Sequence, residues 1–235
     1  MKRRAALAAI AAAAIMAVPA VPAGARPPGA QPTQRDWTQV VVETAEGGIR
    51  MGNPDAAVRL VEFVSLSCSH CRIFAEAGHR KLIDDYVRGG RVSLEIRNLV
   101  LDPFDSAAAI VSRCAEPRNY FALNDAILAE QERWVARLTA LSGDELRQFD
   151  SLPTMEQMAR IAAVAGLDRI AEQHGVPADR VRGCLADANN LARLNDMRRA
   201  AVRLGVIGVP AFLVNGKLVE QRDWRGLKSL LKRRT

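Results

Sequence analysis

The chain has 235 residues, 49% of them hydrophobic, with 33 Lys and Arg against 26 Asp and Glu. That composition can bury a core and excludes disordered and fibrous classes. The basic excess lies over helical surface and a C-terminal Lys232-Arg233-Arg234, with no stripe of basic and aromatic residues, which argues against nucleic acid as a partner.

Lys2, Arg3 and Arg4 precede an apolar run from Ala5 to Val18, and Ala23-Gly24-Ala25 offers small residues for cleavage. Residues 1–25 are therefore expected to be a signal peptide that exports the chain to the periplasm. A membrane anchor is the competing reading. The run is mostly alanine, falls short of the roughly 20 residues a span needs, and is interrupted by Pro19 and Pro22. Residues 26–36, rich in proline, read as a flexible lead-in, and the folded part follows.

Val58–Val64 is a short β-rich apolar run of the kind found in a central strand, covering residues 58–64 of the stretch expected at 37–101 to begin the fold. After SLSCSHC at 65–71, a helix is expected from Arg72 to Val87, with Ile73, Phe74, Ala77, Leu82, Ile83 and Tyr86 near helical spacing until Gly89-Gly90 stops it. Arg91–Val100 reads as a second long strand. Asp102-Pro103 then opens a helical pattern that continues to about Ala186, so 102–186 is expected to be a helical subdomain and 187–235 the return to the sheet. Near the end, Pro210 interrupts an apolar run and suits a tight turn entering a strand. Asn215-Gly216 is a two-residue hairpin signal between Ala211–Val214 and Lys217–Val219. Asp223 can cap a last helix to Arg234.

Four cysteines in an exported chain lie where disulfides persist. Cys68 and Cys71 are close enough on a first helical turn to bond each other, whereas Cys114 and Cys184 each sit in an amphipathic helical pattern far away. The expected pairs are 68 with 71 and 114 with 184. Chain entropy separates their jobs: closing the long loop would stabilise by about 4.4 kcal/mol, the four-residue loop by about 1.9 kcal/mol. Cys114–Cys184 is the plausible staple, with two buried free thiols as the alternative. A metal clip lacks ligands, since the chain has no second CxxC and no paired histidines. His79 stands eight residues past Cys71, about 12 Å along a helix axis, too far to close a shared site.

The order strand, CxxC, helix puts Cys68 at a helix N-terminus, where exposed N–H groups and the positive dipole end favour its thiolate. His70 can donate to the Cys68 sulfur or, protonated, stabilise its charge. Cys71 is expected to be the less exposed resolving thiol. Glu62, a carboxylate inside an apolar strand, is costly to bury without a purpose. It is either an acid-base group for the Cys71 proton or the ion-pair partner of a Lys or Arg.

Two motifs, VEFVSLSCSHC at 61–71 and GVIGVPAFLVNG at 205–216, resemble the DsbA-like branch of the thioredoxin-fold thiol–disulfide oxidoreductases. The resemblance covers most of the chain from about Val40. It implies an α/β thioredoxin fold with an inserted all-helical subdomain. It also implies a cis-proline at Pro210 beside the CxxC, with Val209 and Pro210 offering backbone to an extended substrate. The implied activity is introduction of disulfides into reduced exported polypeptides, without a cofactor or metal, followed by reoxidation through a quinone-linked membrane partner. Two features of the sequence bear on it. Ser69-His70 stands where the best-known oxidases of the branch have Pro-His. Arg26–Asp55 is too short for the separate dimerisation domain of the resembling isomerases, so a monomer is expected. A reductase or isomerase, and a non-catalytic chaperone or metal-binding module, are the rival readings.

Overall fold

The structure, a computed structural model, describes residues 35–234. The expected signal peptide and the lead-in up to Gln34 lie outside the described residues. β1 (Val41–Glu43) and β2 (Ile49–Met51) pair antiparallel at one edge of a six-stranded sheet. β3 (Val58–Val64) and β4 (Val92–Asn98) run parallel at its centre, and β5 (Ala211–Val214) with β6 (Lys217–Val219) closes the other edge. The order is β1-β2-β4-β3-β5-β6. β3 and β4 are buried along almost their whole length, because helices cover both faces of the sheet. That is why they read as apolar runs without alternation. β1 and β2, three residues each, are too short to show a period, and sequence patterning did not anticipate them.

Among the described residues ten α-helices lie between and after the strands: α1 (Ser69–Leu82) between β3 and β4, then α2 (Pro103–Arg113), α3 (Pro117–Ala129), α4 (Gln131–Thr139), α5 (Gly143–Asp150), α6 (Thr154–Ala165), α7 (Leu167–Gln173), α8 (Ala178–Ala186) and α9 (Ala188–Arg203) between β4 and β5, and α10 (Trp224–Lys232) after β6. None of the helices among the described residues is long and apolar enough to cross a membrane. The pleat of β3 divides the core. Leu60 and Val64 join Phe74 of α1 and Phe212 of β5 on one face, while Val61 and Phe63 join Ala201 of α9 and Val206 on the other. Glu62 shares the face of Leu60 and Val64, under α1.

α1 buries Cys71, Phe74, Gly78, His79 and Leu82, a stripe at three- and four-residue spacing. It starts at Ser69 with Cys68 as its N-cap, so Cys68 stands at the helix N-terminus as the order strand, CxxC, helix implies. A wider turn at Ile83–Val87 extends it, and Gly90, at φ +79°, ends it. A Cβ on Gly78 would come within 2.9 Å of the Trp224 ring, so only glycine lets α1 and α10 approach this closely. Between β4 and β5 the chain builds the helical block. Asp102 caps α2 by accepting from the Asp105 N–H, and residues Asp105 to Ser112 are buried on every side, making α2 the centre of the block. At the far end Asn215 (φ +51°) and Gly216 (φ +80°) form the left-handed pair a two-residue hairpin needs. The Asn215 side chain also accepts from the Arg59 N–H at 2.7 Å, tying the turn to β3.

Candidate active site

Cys68 ends the loop leaving β3 and caps α1; Cys71 lies one turn in, with no exposure at all. Both are free thiols, as are Cys114 and Cys184. The Cys71 thiol donates to the Cys68 sulfur, and this bond is the main reason that the Cys68 pKa falls from its ordinary 9.0 to about 5. Burial opposes the fall, while the N–H groups of Cys71 and His70 and, least, the His70 side chain assist it. The same bond, together with burial, pushes Cys71 far upward. The two thiols are thus driven apart: charge settles on the half-exposed Cys68 and the proton stays on the enclosed Cys71. Spacing along the helix sets this division, since N-cap and third position differ in depth.

The cis peptide Val209–Pro210 stands opposite. The Val209 carbonyl oxygen lies 3.7 Å from the Cys68 sulfur, bringing together two motifs that lie at opposite ends of the folded chain. Arg222 donates from Nη1 to the carbonyls of Gly208 (3.0 Å) and Pro210 (2.8 Å), bracing the loop from the rear. Ile207 in the same loop is 95% exposed.

Two buried side chains of the helical block hold the other loop. Gln131 of α4 donates from Nε2 to the carbonyls of Leu66 (2.6 Å) and Cys68 (3.0 Å). The Asp105 carboxylate of α2 accepts from the N–H groups of Leu66 (2.8 Å) and Leu101 (2.9 Å). Burial pushes Asp105 up to about 7, against the pull of hydrogen bonds from Ser65, Leu101 and Leu66. Sequence reasoning passed over both residues, because nothing local marks a Gln or Asp within a helix as the anchor of a distant loop.

Glu62 is fully buried, and its partner is neither Lys nor Arg, which corrects one of the two sequence readings. Its Oε2 sits 2.9 Å from His79 Nε2, while His79 Nδ1 sits 2.7 Å from Asp125 Oδ1 on α3. Burial works to lower the His79 pKa, but the two carboxylates outweigh it and hold the ring well above the ordinary 6.5. An imidazolium between two carboxylates donates from both nitrogens. Glu62 Oε1 has no partner, and the charge of Glu62 adds to the upward push on Cys71. Along the helix axis His79 is too far from Cys71 to share a metal with it. The structure instead turns it across the helix onto β3, a direction that axial distance does not report.

Farther away, the Cys114 and Cys184 side chains meet where α2 packs on α8. Their mutual hydrogen bond lowers Cys184 to about 7 and raises Cys114. Among the described residues no group of three or more His, Cys, Asp or Glu side chains is placed to hold a metal ion.

Residues 44–233 match the family model described as Thioredoxin. The chain belongs to the thioredoxin family. Among solved structures, the protein-disulfide isomerase from Novosphingobium aromaticivorans is 27% identical, with a TM-score of 0.74 over 79% of this chain and 95% of that one. Wolbachia pipientis alpha-DsbA1, 22% identical, shares the fold with a TM-score of 0.59 over 79% of this chain and 89% of its own. A curated relative from Rickettsia bellii, provisionally named a protein-disulfide oxidoreductase, is 25% identical over 187 residues, covering 77% of this chain. This chain spans 62% of that relative's length, about three fifths. The architecture is a thioredoxin fold with inserted helices, matching DsbA-like structures.

Proposed function

We propose that this thioredoxin-family chain is an exported thiol–disulfide oxidoreductase that passes a Cys68–Cys71 disulfide to pairs of thiols on reduced exported polypeptides. The observation that carries the reading is the divided acidity of the two thiols, with Cys68 drawn down to about 5 and Cys71 pushed up. A stabilised thiolate favours the reduced pair, so the oxidised pair is a strong acceptor of electrons. A substrate thiolate attacks the Cys68 sulfur, and Cys71 leaves with the electron pair. A second substrate thiolate then attacks the mixed disulfide, releasing oxidised substrate and reduced enzyme. Glu62 exchanges the Cys71 proton. The backbone at Val209 and Pro210 receives the substrate strand, and a membrane redox partner reoxidises the pair.

The same reading includes periplasmic work as a monomer, and a structural disulfide between Cys114 and Cys184, supported by the meeting of their side chains. A reductase or isomerase role is the second reading, favoured by the name of the Novosphingobium protein. Equilibration in graded glutathione buffers, read by thiol alkylation, separates the two. A potential near about −120 mV supports disulfide donation, and one near about −270 mV supports the reductase. Cys68→Ser is expected to abolish transfer, and full activity in that variant overturns both.

A further inference from the structure

Glu62, His79 and Asp125 come from β3, α1 and α3, and nothing in their sequence positions joins them. Their geometry repeats the logic by which an active-site base is oriented: one group acts, a second holds it by one atom, and a third fixes the second. His79 is 2% exposed and bonded at both nitrogens, to Glu62 Oε2 at 2.9 Å and Asp125 Oδ1 at 2.7 Å. Phe74 sets its edge against the imidazole at 5.5 Å between centroids and so limits rotation of the ring. Glu62 is left with Oε1 buried and unpartnered, an arrangement that costs stability unless the atom has a use. Asp125 carries the connection outward, its side chain being 37% exposed.

We propose that His79, anchored by Asp125, is a positioning residue that fixes Glu62 by one oxygen and keeps the other open for the Cys71 proton. The inference rests on the thiol–disulfide exchange proposed above. When Cys71 resolves a mixed disulfide, its S–H proton passes to Glu62 Oε1 and its sulfur attacks Cys68 Sγ. The Cys68–Cys71 bond forms, the bond from Cys68 to the departing thiol breaks, and that thiol leaves as a thiolate. In the opposite direction Cys71 departs from Cys68 with the electron pair and takes the proton back from Glu62. The imidazolium holds Oε2 in place, and Asp125 helps to hold the charge on the imidazolium. Removing Asp125 therefore alters proton exchange at Cys71 without touching a sulfur. The titratable groups facing the triad are Cys71 on α1 and Tyr120 on α3. Arg113 of α2 stands 6.0 Å over the Tyr120 ring, and Tyr120 feels the charges of both Glu62 and Asp125.

The test compares wild type, Asp125→Asn, Asp125→Glu and His79→Gln in full-length protein. Reduced protein is mixed with oxidised glutathione and quenched by alkylation across a pH series, which separates mixed-disulfide formation at Cys68 from resolution by Cys71. Imidazole nitrogen NMR follows His79 in the same samples. In Asp125→Asn the His79 titration is expected to move down by about one to three pH units. The pH profile of the resolving step is expected to follow it, with a rate change of about tenfold near neutral pH. Asp125→Glu restores both, and His79→Gln flattens the profile. Formation at Cys68 keeps its rate in all three variants. A resolving step whose profile stays in place while the His79 titration moves overturns the proposal. So does a wild-type His79 that is neutral at neutral pH. Wild-type protein that forms no mixed disulfide overturns the exchange reading itself, a result distinct from the other two.

Discussion

The pinning of the active loop by Asp105 predicts an unusual pH dependence of stability. Asp105 is 1% exposed, and burial holds its carboxyl near 7 in the folded protein, against 3.8 as the ordinary value. Between those two values the folded state keeps a proton that the unfolded chain releases, so unfolding becomes easier as pH rises. The contribution is favourable in acid, declines from about pH 4 to about pH 7, and is flat beyond. At 1.36 kcal/mol per unit, the difference amounts to something on the order of 4 kcal/mol. Cys68 works in the opposite sense. Its value is depressed from 9.0 to about 5, so its contribution grows as pH rises through that window. The experiment therefore uses protein with the Cys68–Cys71 disulfide formed, where neither sulfur titrates. Urea unfolding of wild type and Asp105→Asn is compared from about pH 4 to about pH 8, the asparagine keeping the shape but not the ionisation. Loss of one acceptor in the variant adds a constant offset. The stability of wild type minus that of the variant is expected to fall by on the order of 4 kcal/mol across the range. A difference that is level with pH, or rises, refutes the reasoning.

Three further outcomes are expected. Cys71→Ala removes the donor that does most to stabilise the Cys68 thiolate, so the ultraviolet thiolate titration should move up from about 5 by about one to two units; no movement would assign the effect to the helix N-terminus instead. Gly78→Ala places a methyl 2.9 Å from the Trp224 ring. Overpacking costs about 1–3 kcal/mol and the gain in helix propensity returns about 1 kcal/mol, so the net is a lower urea midpoint, and a raised one contradicts the packing described. Gln131→Ala strands the carbonyls of Leu66 and Cys68, and is expected to lower stability by about 1–3 kcal/mol while loosening the redox loop, seen as faster amide exchange at residues 65–68.

What the sequence by itself determined is local. The run Val58–Val64, the cysteine at the start of a helix, Asp102-Pro103 opening α2 and the turn at Asn215-Gly216 each rest on the conformational preferences of a few adjacent residues, and each stands in the structure at that place. The resemblance to DsbA-like proteins carried the fold and the cis bond before Pro210, because both motifs are short and contiguous. Tertiary packing decided the rest. Glu62 meets His79 across 17 positions and Gln131 reaches Cys68 across 63. Periodicity marks which face of an element is buried, yet it is blind to which residue of another element arrives opposite. A buried carboxylate announces that it needs a partner, and only the docking of α1 and α3 over the sheet chose an imidazole rather than a lysine or arginine. The depth that separates Cys68 from Cys71 arises likewise: the helix start is written in the chain, but the closed surroundings of the second sulfur come from elements folded over it.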